Sequence, residues 1–104
     1  MRGFTIIIEE PPIEGPFVPL RRLDVIEAVS PTFPWWVEDL AFTQCRVRLD
    51  IDAAGFPVRV VPRMCDPRFV APTEAALMQW RFEPVLIRKK HVDVTTEIIV
   101  EYTR

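Results

Sequence analysis

From Cys45 onward, apolar and polar residues alternate: Cys45, Val47, Leu49 and Ile51 against Arg46, Arg48, Asp50 and Asp52. A period of two is that of a strand buried on one face. Asp52-Ala53-Ala54-Gly55 is turn chemistry, with Gly55 able to take a positive φ. A second strand follows from Phe56 to about Met64, with Val58 and Val60 inward and Arg59 and Arg63 outward. Matching the apolar faces sets Leu49 across from Val60 and Ile51 across from Val58, an antiparallel hairpin. Pro62 has no donor for a ladder, so it marks an edge or a bulge.

Pro72 suits the opening of a helix carried by Thr73–Phe82 and stopped by Pro84. Thr73, Leu77 and Trp80 share one face of that helix, which predicts Trp80 buried against Val47, Leu49, Val58 and Val60. After the basic turn Arg88-Lys89-Lys90, a long strand spans Val92–Tyr102. In it Val92, Val94, Thr96, Ile98, Val100 and Tyr102 alternate with Asp93, Thr95, Glu97, Ile99 and Glu101. The order strand, strand, helix, strand predicts an α+β fold: a small antiparallel sheet with one helix packed on one face.

The first third is less regular. Phe4–Glu9 reads as a short strand ended by Pro11-Pro12. Six of the 11 prolines (Pro11, Pro12, Pro16, Pro19, Pro31 and Pro34) fall here, so residues 1–30 read as a proline-rich arm. Phe17, Val18, Leu20, Leu23, Val25 and Ile26 are too apolar to stay solvated, which lays the arm on the domain. Leu23–Val29 is either a strand or a helical turn. Pro34 suits the first position of a short helix to about Leu40, with one of Trp35 and Trp36 packed under the sheet and the other exposed.

Composition narrows the function classes. A chain of 104 residues, 49% hydrophobic and 27% charged, supports one core. A net charge of −2 argues against nucleic acid and anionic membrane surfaces as partners. No run approaches the roughly twenty apolar residues of a spanning helix, and no signal peptide is visible in this chain. His91 is the single histidine, on the polar phase of a strand, so neither a two-histidine metal site nor a nucleophile–base pair is legible. Three glycines leave no phosphate loop. Asp50, Asp52 and Asp66 read as solubility charges and Arg88–Lys90 as a solvated turn. The expectation is a non-enzymatic binding module with no cofactor, metal or small-molecule substrate.

Four short stretches, in order, resemble the carboxy-terminal domain of TonB-type energy transducers. Pro31-Thr32-Phe33-Pro34 is similar to the family's P-x-[YF]-P, and Val47–Gly55 to its alternating strand and D-x-x-G turn. Ala75–Pro84 is similar to A-x-x-x-W-x-[FY]-x-P, and the strand ending at Tyr102 to the terminal strand. The resemblance covers residues 31–104. It implies a periplasmic domain that grips an extended segment, the TonB box, of outer-membrane receptors for energy-coupled transport. The family's membrane anchor and spacer have no counterpart in these residues.

One branch of the family carries two cysteines where Cys45 and Cys65 stand, which implies a disulfide between them. The hairpin register puts Cys45 opposite Met64, so the pairing needs a bulge, for which Pro62 is the candidate; the alternative is two buried free thiols. Partner binding is expected by strand addition to the long final strand, at Val94, Thr96, Ile98, Ile99 and Val100, with Phe33 and Pro34 flanking the partner. The rival expectation is that this edge pairs with a second copy in a strand-mediated homodimer.

Overall fold

In the structure, a computed structural model, residues 16–104 are described; the strand expected at Phe4–Glu9 lies outside them. A 3-10 turn at Leu20–Arg22 precedes β1 (Val25–Glu27), β2 (Phe42–Ile51), β3 (Pro57–Met64), α1 (Pro67–Leu77), β4 (Arg81–Phe82), β5 (Val85–Ile87), β6 (Lys90–Val92) and β7 (Val94–Thr103). The fold is α+β. A three-stranded antiparallel sheet in the order β3-β2-β7 carries α1 on one face, and β1–β4 and β5–β6 form two small pairs.

The alternation in the sequence becomes the core. Cys45, Val47, Leu49 and Ile51 of β2 are buried, facing Val100, Ile98, Thr96 and Val94 of β7 in an unbroken register. The hairpin turn is closed by the Asp52 carboxylate, whose Oδ1 accepts from the Ala54 and Phe56 N–H groups, each at 2.9 Å. Gly55 sits at φ 91°, and a Cβ there would strike the Phe82 carbonyl oxygen, so the turn requires glycine.

Two bulges modify the hairpin. Leu49 pairs with Val60 as the pattern requires, but the register shifts between Asp50 and Ile51, so Ile51 faces Pro57. Val58 is thereby turned outward, 43% exposed, and the expectation that it lies inward is corrected. The second shift lies between Arg46 and Val47, which face Met64 and Pro62 and leave Arg63 as the extra residue. It brings Cys65 level with Cys45, and the two are joined in a disulfide with Cα atoms 4.3 Å apart. Such a bond points to an oxidising, extracytoplasmic setting.

The helix begins earlier than the sequence suggests. Asp66 is its N-cap, accepting from the Arg68 N–H at 2.9 Å, and Pro67 takes the first position, where a missing donor costs nothing. Pro72 therefore lies inside the helix rather than at its start. The buried stripe is Phe69, Thr73, Ala76 and Leu77, spacings of four, three and one. Trp80 lies beyond the helix end, half-buried, with its indole donating to the Val29 carbonyl at 2.9 Å and its ring 6.0 Å from Phe82. It packs on the rim of the core, not under the outward-turned Val58.

Phe69 occupies the centre instead. Its ring meets Phe33 edge-on at 5.3 Å and Tyr102 at 4.8 Å. The Tyr102 hydroxyl closes a buried hydrogen bond with Thr73 Oγ1 at 2.6 Å, and burial raises its pKa.

Three local readings also change. Leu23–Val29 resolves as the strand β1, paired with β4; Val18, Leu20 and Leu23 pack into the core, but Phe17, Val25 and Ile26 stay exposed, so the expectation that all six leave solvent is corrected. No helix follows Pro34; a single turn closes with the Val37 N–H donating to the Pro34 carbonyl at 3.1 Å. That turn buries Val37 and leaves both tryptophans out, Trp35 at 87% and Trp36 at 52% exposure, so neither packs under the sheet. Finally, β7 starts at Val94, because Lys90–Val92 folds back on Val85–Ile87.

The three aspartates have structural roles. Asp52 closes the turn and Asp66 caps the helix. Asp50 is fully buried, beside Arg48 Nε at 3.2 Å and accepting from the Thr95 hydroxyl. None is a mere solubility charge.

Candidate functional site: the outer edge of the last strand

β7 lies at one side of the sheet, paired with β2 along its full length. In a strand, successive residues direct their backbone groups to opposite sides, so one fixed point sets the parity of the rest. Thr95 provides it: its N–H donates to the Pro16 carbonyl at 3.0 Å and its carbonyl accepts from the Val18 N–H at 2.8 Å. The odd-numbered residues thus face away from β2. The Arg104 N–H, donating to the Ala41 carbonyl at 2.9 Å, confirms that the even-numbered ones face inward.

Among the described residues, the amino-terminal arm meets this edge at Thr95, through a parallel bridge at Phe17. Past Val18 the chain turns away into Leu20–Arg22. Beyond that bridge, Glu97, Ile99, Glu101 and Thr103 present backbone donors and acceptors, and among the described residues no strand pairs with them. Their acidic side chains do not block access. Glu97 leans across the open face to Arg46 at 3.7 Å, and Glu101 accepts from Gln44 Nε2 at 3.0 Å.

The opposite edge is guarded. β3 carries Pro57 and Pro62 and both bulges, devices that deter strand pairing. Among the described residues, the sheet has one blunted edge and one open edge.

The expected partner-contacting residues divide accordingly. Val94, Thr96, Ile98 and Val100 point their side chains into the core and their backbone groups at β2, so they cannot meet a partner. Ile99, half-exposed at 50%, stands on the open edge. Its neighbours Glu97, Glu101 and Thr103 are the edge residues that sequence reasoning missed, because parity depends on the arm's contact at Thr95. Phe33 packs on Tyr102 at 6.2 Å, with the Arg104 guanidinium 5.0 Å from its ring, and so stands at the Thr103 end of the edge. Pro34 is buried and lines only the floor of a neighbouring groove.

That groove, about 290 Å³, lies between the Phe33–Trp36 turn and the Ala71–Pro72 side of α1. Arg68 fixes its wall with one guanidinium and two carboxylates: Asp66 is held bidentately at 2.8 and 3.0 Å, and Asp39 at 2.7 Å. The hydrogen bonds from Arg68 hold Asp66 down from 3.8 to about 2 and also lower Asp39. A carboxylate whose pKa is lower folded than unfolded adds stability above the unfolded value and loses it as pH falls through the folded one. Stability should therefore decline between about pH 4 and pH 2, and Arg68→Met should flatten that segment of the profile, as urea unfolding at stepped pH will measure. An unchanged slope would mean that the triad does not couple to folding.

His91 is exposed on β6, and among the described residues no group of three or more His, Cys, Asp or Glu is placed to hold a metal. No helix among the described residues is long and apolar enough to cross a membrane. A scan against protein-family models and a search of curated proteins each returned no match.

Proposed function

We propose that this protein is a peptide-binding module that takes an extended partner segment onto the outer edge of β7, in the manner of TonB carboxy-terminal domains gripping the TonB box of outer-membrane receptors. The observation that carries the reading is the asymmetry of the two edges. β3 is blunted by prolines and bulges, whereas Glu97–Thr103 of β7 exposes a regular row of backbone groups. Main-chain hydrogen bonds to that row supply affinity, and Ile99 with Phe33 supplies apolar contact. The disulfide fits a periplasmic location. In this reading the domain serves energy-coupled transport as the gripping end of a transducer, and no catalytic group is involved.

A peptide is favoured over a second copy by charge. In the symmetric antiparallel register centred on Ile99, Glu97 of each copy would face Glu101 of the other, and like charges directly opposite destabilise a strand pair.

Calorimetric titration with an extended TonB-box-type peptide tests the reading. Ile99→Pro removes an outward donor as well as the apolar contact and should weaken binding at least about tenfold, whereas Ile99→Ala keeps the donor, loses only the apolar contact and should weaken it by about threefold. Equal binding by Ile99→Pro, or no binding by a parent protein that sediments as a monomer, would defeat it.

A further inference from the structure

The β5–β6 hairpin is not used by the strand-edge reading. Its base is anchored, since Val85 and Val92 pair with each other and pack against the core. Its tip is different. Leu86 is 61% exposed on one face of the ribbon, opposite His91, and Ile87 is exposed on the other, opposite Lys90. Between them Arg88 and Lys89 make the turn, so three consecutive cations crown a tip that is apolar on both faces.

The backbone of this turn is unusual. Arg88 and Lys89 both have positive φ, 53° and 67°. A two-residue hairpin turn with both centres left-handed strongly favours Asn-Gly, because residues with a Cβ are strained there. The chain therefore accepts backbone strain at both positions while keeping two cationic side chains at the apex.

We infer that this tip docks on an anionic lipid surface, with Leu86 and Ile87 entering the headgroup boundary and Arg88, Lys89 and Lys90 engaging the lipid charges. The net charge of −2 conceals this concentration of three cations in three residues. Juxtamembrane Lys and Arg are attracted to anionic bilayers, and flanking aliphatic side chains gain from leaving water. Nucleic acid is a poorer match, because no Phe, Tyr or Trp stands at the tip to give successive bases a stacking platform. The hairpin joins β7 at Val94, the end remote from Thr103, so a lipid-docked tip leaves the open edge free.

The test is co-sedimentation of the full chain with phosphatidylcholine vesicles, against vesicles in which about a third of the lipid is phosphatidylglycerol. Three cations predict binding about a hundredfold stronger to the anionic vesicles, weakening as salt is raised. The decisive variant is Arg88→Asn with Lys89→Gly, which installs the pair the turn prefers. It should melt higher than the parent yet lose at least about tenfold in anionic-vesicle binding, which separates docking from folding. Leu86→Ser should also bind these vesicles more weakly with its circular dichroism unchanged. Equal binding to both vesicle types, or parental binding by the double variant, would overturn the proposal. Parental binding by Leu86→Ser together with displacement by heparin would make the tip a general polyanion site and overturn the lipid assignment.

Discussion

Phe69→Ala should destabilise the protein by about 3–5 kcal/mol, the range for truncating a large aromatic side chain in a core. Phe69 is fully buried and is the ring against which Phe33 and Tyr102 both stack edge-on. Its loss leaves a cavity between α1 and the Tyr102 end of β7, with no flexible side chain at its centre to fill it. The same change also loosens Phe33, which stands at the end of the open edge. Trp80→Ala should cost less, about 1–2 kcal/mol, because Trp80 is half-buried and contributes one indole hydrogen bond to Val29. Urea unfolding with an unchanged m-value measures both. A cost for Phe69→Ala below about 1 kcal/mol, or one smaller than that for Trp80→Ala, would contradict this assignment of the core.

Removing the disulfide should cost about 2–4 kcal/mol. Cys45 and Cys65 are 20 residues apart, and closing a loop of that length restricts the unfolded chain by about 3 kcal/mol in the chain-entropy treatment. The bond also fastens β2 to β3 just beyond the Arg46–Val47 bulge, where the ladder is interrupted. Replacing both cysteines with alanine, or reducing the parent, should lower the urea midpoint by equivalent amounts. Identical midpoints with and without reductant, in protein whose thiols alkylate only after reduction, would show that the bond contributes nothing to stability.

The central hairpin and the last strand were legible because their signals are local. Cys45–Ile51 and Val94–Tyr102 alternate with period two, and Asp52 and Gly55 are the residues their turn requires. The helix was legible as an element and misplaced by about one and a half turns, since both Pro67 and Pro72 suit an opening position. The aspartate before Pro67 decides between them by capping the Arg68 N–H. That shift moved Trp80 off the helix and put Phe69 in its place. The turn at Arg88-Lys89 was legible but the β5–β6 hairpin around it was not, because Val85–Ile87 and Lys90–Val92 are each too short to show a period and the second runs directly into the final strand.

The open edge was only half legible. Length and regularity marked the strand, but its outward residues follow from Thr95 meeting Pro16 and Val18, a contact about 80 positions distant in sequence that no local pattern encodes. The groove beside Phe33 was illegible for a related reason. It forms only because α1 brings Ala71 and Pro72 against a turn more than thirty residues upstream.

Amide hydrogen exchange along β7, with and without a saturating peptide partner, tests the account most directly. In the free protein the amides of Thr96, Ile98, Val100 and Tyr102 should be protected by β2 and that of Thr95 by Pro16, while those of Glu97, Ile99 and Glu101 exchange quickly. On binding, the Ile99 and Glu101 amides should slow by at least about tenfold as they donate to the added strand. Odd-numbered amides already protected in a dilute monomer, or still fast in a saturated complex, would contradict the claim that this edge is open and receives the partner.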